Sequence, residues 1–215
     1  IALARYPIPA TIDGNGSVKP LDIFIATAQA ISSIPATSKY IHSINISSNV
    51  LFCSKVRASV SFSSLKPAQG KIRHWGVSNL DSVDMKELVG QAGGERVAVN
   101  QVLYNLSRRG VEWDLLPWCS GRRIPLMAYS PIEQARLLRH PGLRALAARH
   151  GATPAQLALA WLLRGEQLIV IPKASTRAHL DENYAALECP LDDATLAELD
   201  RLFPPPRRAT PLEML

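Results

Sequence analysis

The sequence predicts an α/β fold in which a parallel sheet is covered by helices. Two observations carry this prediction. Beyond about residue 70, short apolar runs alternate with helix-length segments. Each apolar run also finishes on small polar residues, where parallel sheets hold their ligands. A third observation concerns the chain before that point, which differs in composition and lacks this pattern.

The ordered part reads element by element. Residues 71–79 (KIRHWGVSN) predict a strand. A helix follows over 81–93, with Asp81 or Ser82 as N-cap and Gly93 as the stop. Residues 96–105 (RVAVNQVLYN) predict the next strand. Residues 111–121 (VEWDLLPWCSG) have a helical pattern interrupted by Pro117, which predicts two short pieces. Residues 124–131 (IPLMAYSP) predict a strand, and 141–151 a helix closed by Gly151. Thr153 caps a helix over 153–165, with Pro154 in the favoured first position. Residues 167–175 (QLIVIPKAS) predict the last strand, and 176–187 and 191–203 the last helices.

Earlier residues are less regular. Residues 9–20 read as a turn-rich loop, because Asp-Gly and Asn-Gly are strong turn pairs. Residues 41–56 are β-branched and partly alternate, which predicts one or two strands. Residues 1–70 hold 12 Ser and 10 Ile but no Glu, while the rest holds 6 Ser, 5 Ile and 15 Arg. This shift divides the chain into an unassigned segment over 1–64 and an ordered part over 65–215. Ser-rich, acid-poor stretches also occur in transit peptides, but those favour Arg over Lys, and this one does not.

The net charge is +6, carried by separate short runs at 108–110 (RRG), 121–123 (GRR) and 204–208 (PPPRR). Spread in this way, the charges read as solvated surface, and no nucleic-acid partner is expected. Cys53, Cys119 and Cys189 are odd in number and show no C-x-x-C spacing. That predicts reduced thiols in a cytoplasmic protein, with no disulfide framework and no metal site. No apolar run approaches the ~20 residues of a membrane helix, so no membrane partner is expected.

The predicted strand ends carry Ser78-Asn79, Asn100-Gln101 with Tyr104-Asn105 beyond, Tyr129-Ser130-Pro131 and Pro172-Lys173-Ala174-Ser175. Amide side chains can donate to and accept from a carboxamide. A tyrosine face can stack on an aromatic ring. A lysine beside a helix N-terminus can hold a phosphate. Together the set suits a planar, amide-bearing ring with phosphate attached.

The motifs GKIRHWGVSN, NQVLYN, AYSP and IPKAS…EN, in this order over about residues 65–203, resemble the C-terminal half of the aldo-keto reductases. The resemblance implies part of a (β/α)8 barrel. It also implies an oxidoreductase that reduces a carbonyl to an alcohol by hydride transfer from NADPH, with NAD as the alternative cofactor. The partner it implies is a small carbonyl substrate. By this resemblance, Ser78, Asn79 and Gln101 match residues that hold the nicotinamide carboxamide. Tyr129 matches the tyrosine that stacks on the nicotinamide ring. Ser130 and Ile132 lie where the pyrophosphate passes. Lys173 and Ser175 match the region of the adenosine 2'-phosphate, and Glu182 and Asn183 the pair at the adenine. Two positions depart from the family pattern. His179 stands where an arginine is frequent, and Glu133 places an acid near the pyrophosphate path.

In this family a tyrosine donates the proton, supported by Asp and Lys, while a His orients the substrate. Residues 1–69 contain no Asp followed by a Tyr five positions on. NVLFCSKV resembles the strand that ends on the catalytic lysine, which makes Lys55 the one catalytic candidate. Some 70 residues are also too few for four βα units of about 30 residues each. The expectation is therefore a truncated reductase of doubtful independent activity. The alternative is a catalytically silent relative, or an interaction module, that still binds a dinucleotide. A partial barrel leaves strand edges open, which favours self-association. The early segment either patches those edges or is a foreign piece joined to the rest.

Overall fold

The computed structural model describes residues 74–215 throughout, Leu3, and four short strands before residue 55. Four parallel strands form the centre: β5 (His74–Ser78), β6 (Asn100–Leu103), β7 (Leu126–Tyr129) and β8 (Leu168–Val170). They neighbour one another in chain order, and helices occupy the connections. This is the predicted parallel α/β arrangement, with every crossover long enough to return the chain to the same end of the sheet.

The early segment extends this sheet. Strands β3 (Ile44–Ser47) and β4 (Val50–Ser54) form an antiparallel pair within 41–56, where the sequence predicts one or two strands. β4 then runs parallel to β5, with Ser54 opposite Ser78. Lys55 comes next in the chain and lies outside the described residues. At the other side of the sheet, Leu3 forms an antiparallel bridge to Val170, with both backbone bonds at 2.8 Å. Strands β1 (Thr11–Ile12) and β2 (Val18–Lys19) pair antiparallel where the sequence predicts only a loop. The Asp-Gly and Asn-Gly pairs stand between them in the chain, as hairpin chemistry requires.

The strands are staggered, and this corrects one expectation. Gln101 is the second residue of β6, not its end, yet it pairs with Ser78, the last residue of β5. Bonds from Ala98 to Trp75 and from Val77 to Val99 carry the pairing further back. Gln101 in turn sits opposite Met127. Stagger of this kind is what tilts strands toward barrel curvature.

Helix α1 (Ser82–Val89) is shorter than predicted. Asp81 caps it through a reciprocal box with Asp84, but the helix ends at Gly90. The chain then turns through Gly93, at φ 88°, into a short 3-10 turn over Gly94–Arg96. A Cβ on Gly94 would come within 1.8 Å of the Leu88 carbonyl oxygen, so the turn folds back tightly on the helix. The helical piece around Pro117 breaks before the proline. A 3-10 turn spans Gly110–Glu112, and helix α2 spans Leu115–Ser120. Pro117 falls in the first turn of α2, where an N–H would have no helical partner anyway.

Helix α3 spans Pro141–Arg149 and α4 spans Pro154–Leu163. Every residue of α4 from Leu157 to Leu163 is buried. A helix that is apolar all round belongs inside, and α4 fills the space between β8, α3 and α5 (Arg177–Ala185). Helix α6 (Asp193–Leu202) packs on α3.

The RRG run is also corrected. Arg109 is 7% exposed and pairs with Glu112 at 2.9 Å and Asp200 at 2.7 Å. Its guanidinium lies 5.0 Å from the centre of the Trp161 ring. It ties the loop after β6 to α6, and is not solvated surface. Arg122, Arg123, Arg207 and Arg208 are exposed, as predicted.

Candidate functional site

β5 delivers Ser78 and Asn79 to one end of the sheet. The Ser78 hydroxyl donates to the Gln101 carbonyl at 3.1 Å, and the Asn79 N–H donates to the same carbonyl at 2.8 Å. Asn79 has φ 57°, a left-handed conformation that Asn tolerates better than most residues. That turn lifts the chain off the strand just before Asp81 starts α1. The Tyr129 hydroxyl, from the end of β7, donates to Asn79 Oδ1 at 3.3 Å. Ser78, Asn79, Gln101 and Tyr129 thus converge from three adjacent strands. The Gln101 amide turns sideways to Met127 Sδ at 3.3 Å. Burial pushes the Tyr129 phenol above its ordinary pKa, and the Leu215 backbone, hydrogen-bonded to it, opposes that rise.

The loop after β7 has an unusual backbone. Ser130, Glu133, Gln134 and Ala135 all have positive φ, between 50° and 67°. Left-handed non-glycine residues cost energy and persist only where surroundings hold them. Here the holding groups come from the loop after β6. Asn105 Nδ2 donates to the Ser130 carbonyl at 2.9 Å and to Glu133 Oε2 at 2.8 Å. Arg108 donates through Nε and Nη2 to Glu133 Oε1 at 3.1 and 3.0 Å. Glu133 is 4% exposed, so its charge is buried and paired with Arg108 and Asn105. Its hydrogen bond, followed by that of Glu213, raises the Arg108 pKa above the ordinary arginine value.

The tail after α6 returns to this end of the molecule. Leu212 packs against the core, Glu213 accepts from Arg108 Nη1 at 2.5 Å, and the Leu215 backbone reaches Tyr129. Thr210–Glu213 help enclose a cavity of about 130 Å³ with Ser82, Leu103 and Asp114. The Ser82 hydroxyl donates to Asp114 Oδ2 at 2.5 Å on its wall.

The remaining predicted residues are Lys173, Ser175, Glu182, Asn183 and Ile132. Lys173 and Ser175 are exposed on the loop between β8 and α5. Glu182 is half-buried on α5, its carbonyl accepting from Gln156 at 3.3 Å, and Asn183 is buried beside it. No hydrogen bond among the described residues connects these four to Asn79 or Tyr129. Ile132 packs half-buried on the core. Asn105 is among the polar residues the sequence places beyond a strand end, without a role, whereas Arg108 and Glu213 are not among the residues it points to. An acid in the loop after AYSP needs a counter-charge, but Arg109, Arg122, Arg123, Arg136 and Arg139 all lie nearer to Glu133 in the chain, so nothing in the sequence singles out Arg108.

Ser130, next to Tyr129, leaves room for a dinucleotide group to bond. Its Oγ is buried and finds no hydrogen-bond partner among the described residues, as do Asn100 Oδ1, Trp161 Nε1 and Gln167 Oε1 elsewhere. Buried polar groups left in this way are costly unless something pairs with them. Among the described residues, no three His, Cys, Asp or Glu side chains cluster as metal ligands, and no helix is long and apolar enough to cross a membrane.

Comparison with known proteins agrees with this geometry. The family model for the aldo/keto reductase family matches residues 60–203. Methylglyoxal reductase YeaE of Escherichia coli is 49% identical over 153 residues, which is 69% of this chain and 54% of the relative. The crystal structure of an aldo/keto reductase from Klebsiella pneumoniae in complex with NADP and acetate superposes with a TM-score of 0.73 at 43% identity, over 78% of this chain and 62% of that one. A thermostable aldo-keto reductase with the inhibitor epalrestat gives 0.65 at 32% identity, over 72% and 59% of the two chains. This chain spans about half the length of the protein relatives that it matches. On the family match, the parallel sheet and the ordered strand-end motifs, the chain belongs to the aldo/keto reductase family.

Proposed function

We propose that this chain binds NADPH across the ends of β5 to β8, and that the protein it represents reduces a small carbonyl compound to an alcohol. The observation that carries this reading is the convergence of Ser78, Asn79, Gln101 and Tyr129, with the unpartnered Ser130 hydroxyl beside them. The bound NADPH supplies the hydride. The chain's own residues position it. Ser78, Asn79 and Gln101 hold the carboxamide, and Tyr129 offers its ring face for stacking. Ser130 and Ile132 border the pyrophosphate. Lys173 and Ser175, exposed next to the N-terminus of α5, meet the 2'-phosphate. Glu182 and Asn183 border the adenine.

The likeness to a methylglyoxal reductase supports a small oxoaldehyde as substrate class. Lys55 is kept as the candidate that supports proton donation, because Ser54 before it pairs with Ser78. The 1–64 and 65–215 division, a cytoplasmic location supported by the cysteine spacing, and self-association through a sheet edge belong to the same proposal. A second reading, dinucleotide binding without turnover, is favoured by one observation: residues 1–69 hold no Asp–Tyr pair at the family spacing.

The test is an NADPH titration read by energy transfer from tryptophan, with Trp75 on β5 three residues before Ser78. Saturable transfer is expected. Lys173→Ala should weaken NADPH by about tenfold, the scale of a hydrogen bond to a charged group, and leave NADH nearly unchanged. A folded protein that shows no saturable transfer would end the cofactor reading. Binding without reduction of any oxoaldehyde would favour the second reading.

A further inference from the structure

We propose that Arg108 is a positioning residue that joins the C-terminal tail to the left-handed turn after β7, so that a dinucleotide seated on that turn tightens the tail over the strand ends. The inference rests on the cofactor reading above for its second half only.

One guanidinium serves two acids. Arg108 Nε and Nη2 hold Glu133 Oε1, while Nη1 holds Glu213 Oε1. The fork is planar and rigid, so fixing one edge orients the other. Behind Glu133, Asn105 holds both the second carboxylate oxygen and the Ser130 carbonyl. An unbroken chain of polar contacts therefore runs from Ser130, on the proposed pyrophosphate path, to Glu213 in the tail.

Each end of this chain needs support. On one side, Glu133, Gln134 and Ala135 are three successive left-handed residues without a glycine. On the other side, the tail has little of its own. Thr210, Pro211, Met214 and Leu215 are exposed, and Leu212 is the tail residue packed on the core. The Glu213 pair is thus the main polar hold on the segment that reaches Tyr129. Whatever orders the turn also orients Arg108 toward Glu213, and the coupling is reciprocal. The raised Arg108 pKa agrees with a guanidinium shared between two carboxylates.

The exposed Arg207 and Arg208 at the base of the tail make it readable by trypsin. Release of the peptide 209–215 is followed in wild type, Glu213→Gln, Glu213→Asp, Glu133→Gln and the Glu133→Gln/Glu213→Gln double variant. Glu213→Gln should be cut about threefold faster, the scale of a part-exposed ion pair, and Glu213→Asp should restore part of the protection. Glu133→Gln, which touches no tail residue, should also speed release. The double variant should be no faster than the faster single one, because both act through Arg108. NADPH should slow release in wild type and lose that effect in Glu213→Gln.

Release from Glu213→Gln at the wild-type rate would overturn the proposal, as would effects of the two variants that simply multiply. Should Glu133→Gln fail to fold, the contrast between Glu213→Gln and Glu213→Asp under NADPH decides instead, and equal protection of both would overturn it. A folded wild type that binds no NADPH overturns the cofactor reading and the dinucleotide half of this proposal. The Glu133–Glu213 cycle still decides the other half.

Discussion

Ser130 shows how one buried atom carries functional meaning. Its hydroxyl is buried and unpartnered among the described residues, in a residue at φ 50°. An unsatisfied buried hydroxyl costs about 1–3 kcal/mol, so Ser130→Ala should leave folding stability unchanged or raise it by about 1 kcal/mol. The same change should weaken NADPH about fivefold to tenfold if the hydroxyl pairs with the cofactor. A thermal melt and a fluorescence titration on one sample separate the two effects. Unchanged affinity would remove Ser130 from the site. The residue was named from its motif alone. Its backbone conformation was not legible, because the groups that hold the turn, Asn105 and Arg108, lie about 25 residues earlier in the chain.

At the scale of elements, local chemistry was the better guide. Thr153, Thr176 and Asp192 each accept from the backbone N–H three residues on, at the N-termini of α4, α5 and α6. Of these three, Thr153 makes the reciprocal cap. It accepts from the Gln156 N–H at 3.2 Å, and Gln156 Oε1 accepts from the Thr153 N–H at 2.9 Å. Thr153→Ala should cost about 1 kcal/mol, read as a lower urea midpoint at constant slope. Thr176→Ala should cost less, because that cap has no reciprocal bond and α5 is mostly exposed. A loss from Thr153→Ala smaller than that from Thr176→Ala would contradict this account. Helix ends at the C-terminal side were read less well. α1 stops at Gly90 and not Gly93: both are glycines, and the turn that brings Gly94 back to Leu88 uses the earlier one.

Across the whole molecule, burial sets the response to alkaline pH. Cys119 is fully buried, and desolvation pushes its thiol from 9.0 up to about 12. Burial also raises Tyr104, with the Glu112 charge adding to it. A raised acid loses its proton more readily in the unfolded chain. The contribution of these two groups should therefore be constant below pH 9 and fall as pH rises from 9 toward 12, through the interval set by Cys119. The slope from one such group approaches about 1.4 kcal/mol per pH unit. Cys119→Ala should flatten the first part of the fall and leave the part due to Tyr104. Urea unfolding at stepped pH measures both, and an unaltered slope in Cys119→Ala would assign the effect elsewhere.

The amino-acid sequence by itself determined the alternation of strands and helices, the N-caps, and the polar residues at the strand ends. These are short-range properties, set by side-chain periodicity and by groups within four residues of one another. Only the tertiary structure decided how the pieces meet. It set Gln101 level with Ser78 by stagger, buried Arg109 against Asp200, and turned Glu133 to Arg108. It brought Glu213 to Arg108 across 105 residues of chain, and placed β4 beside β5. Such pairings depend on which distant charge or strand the packed sheet leaves within reach. A local pattern states what each residue needs, and the fold selects the partner that meets the need.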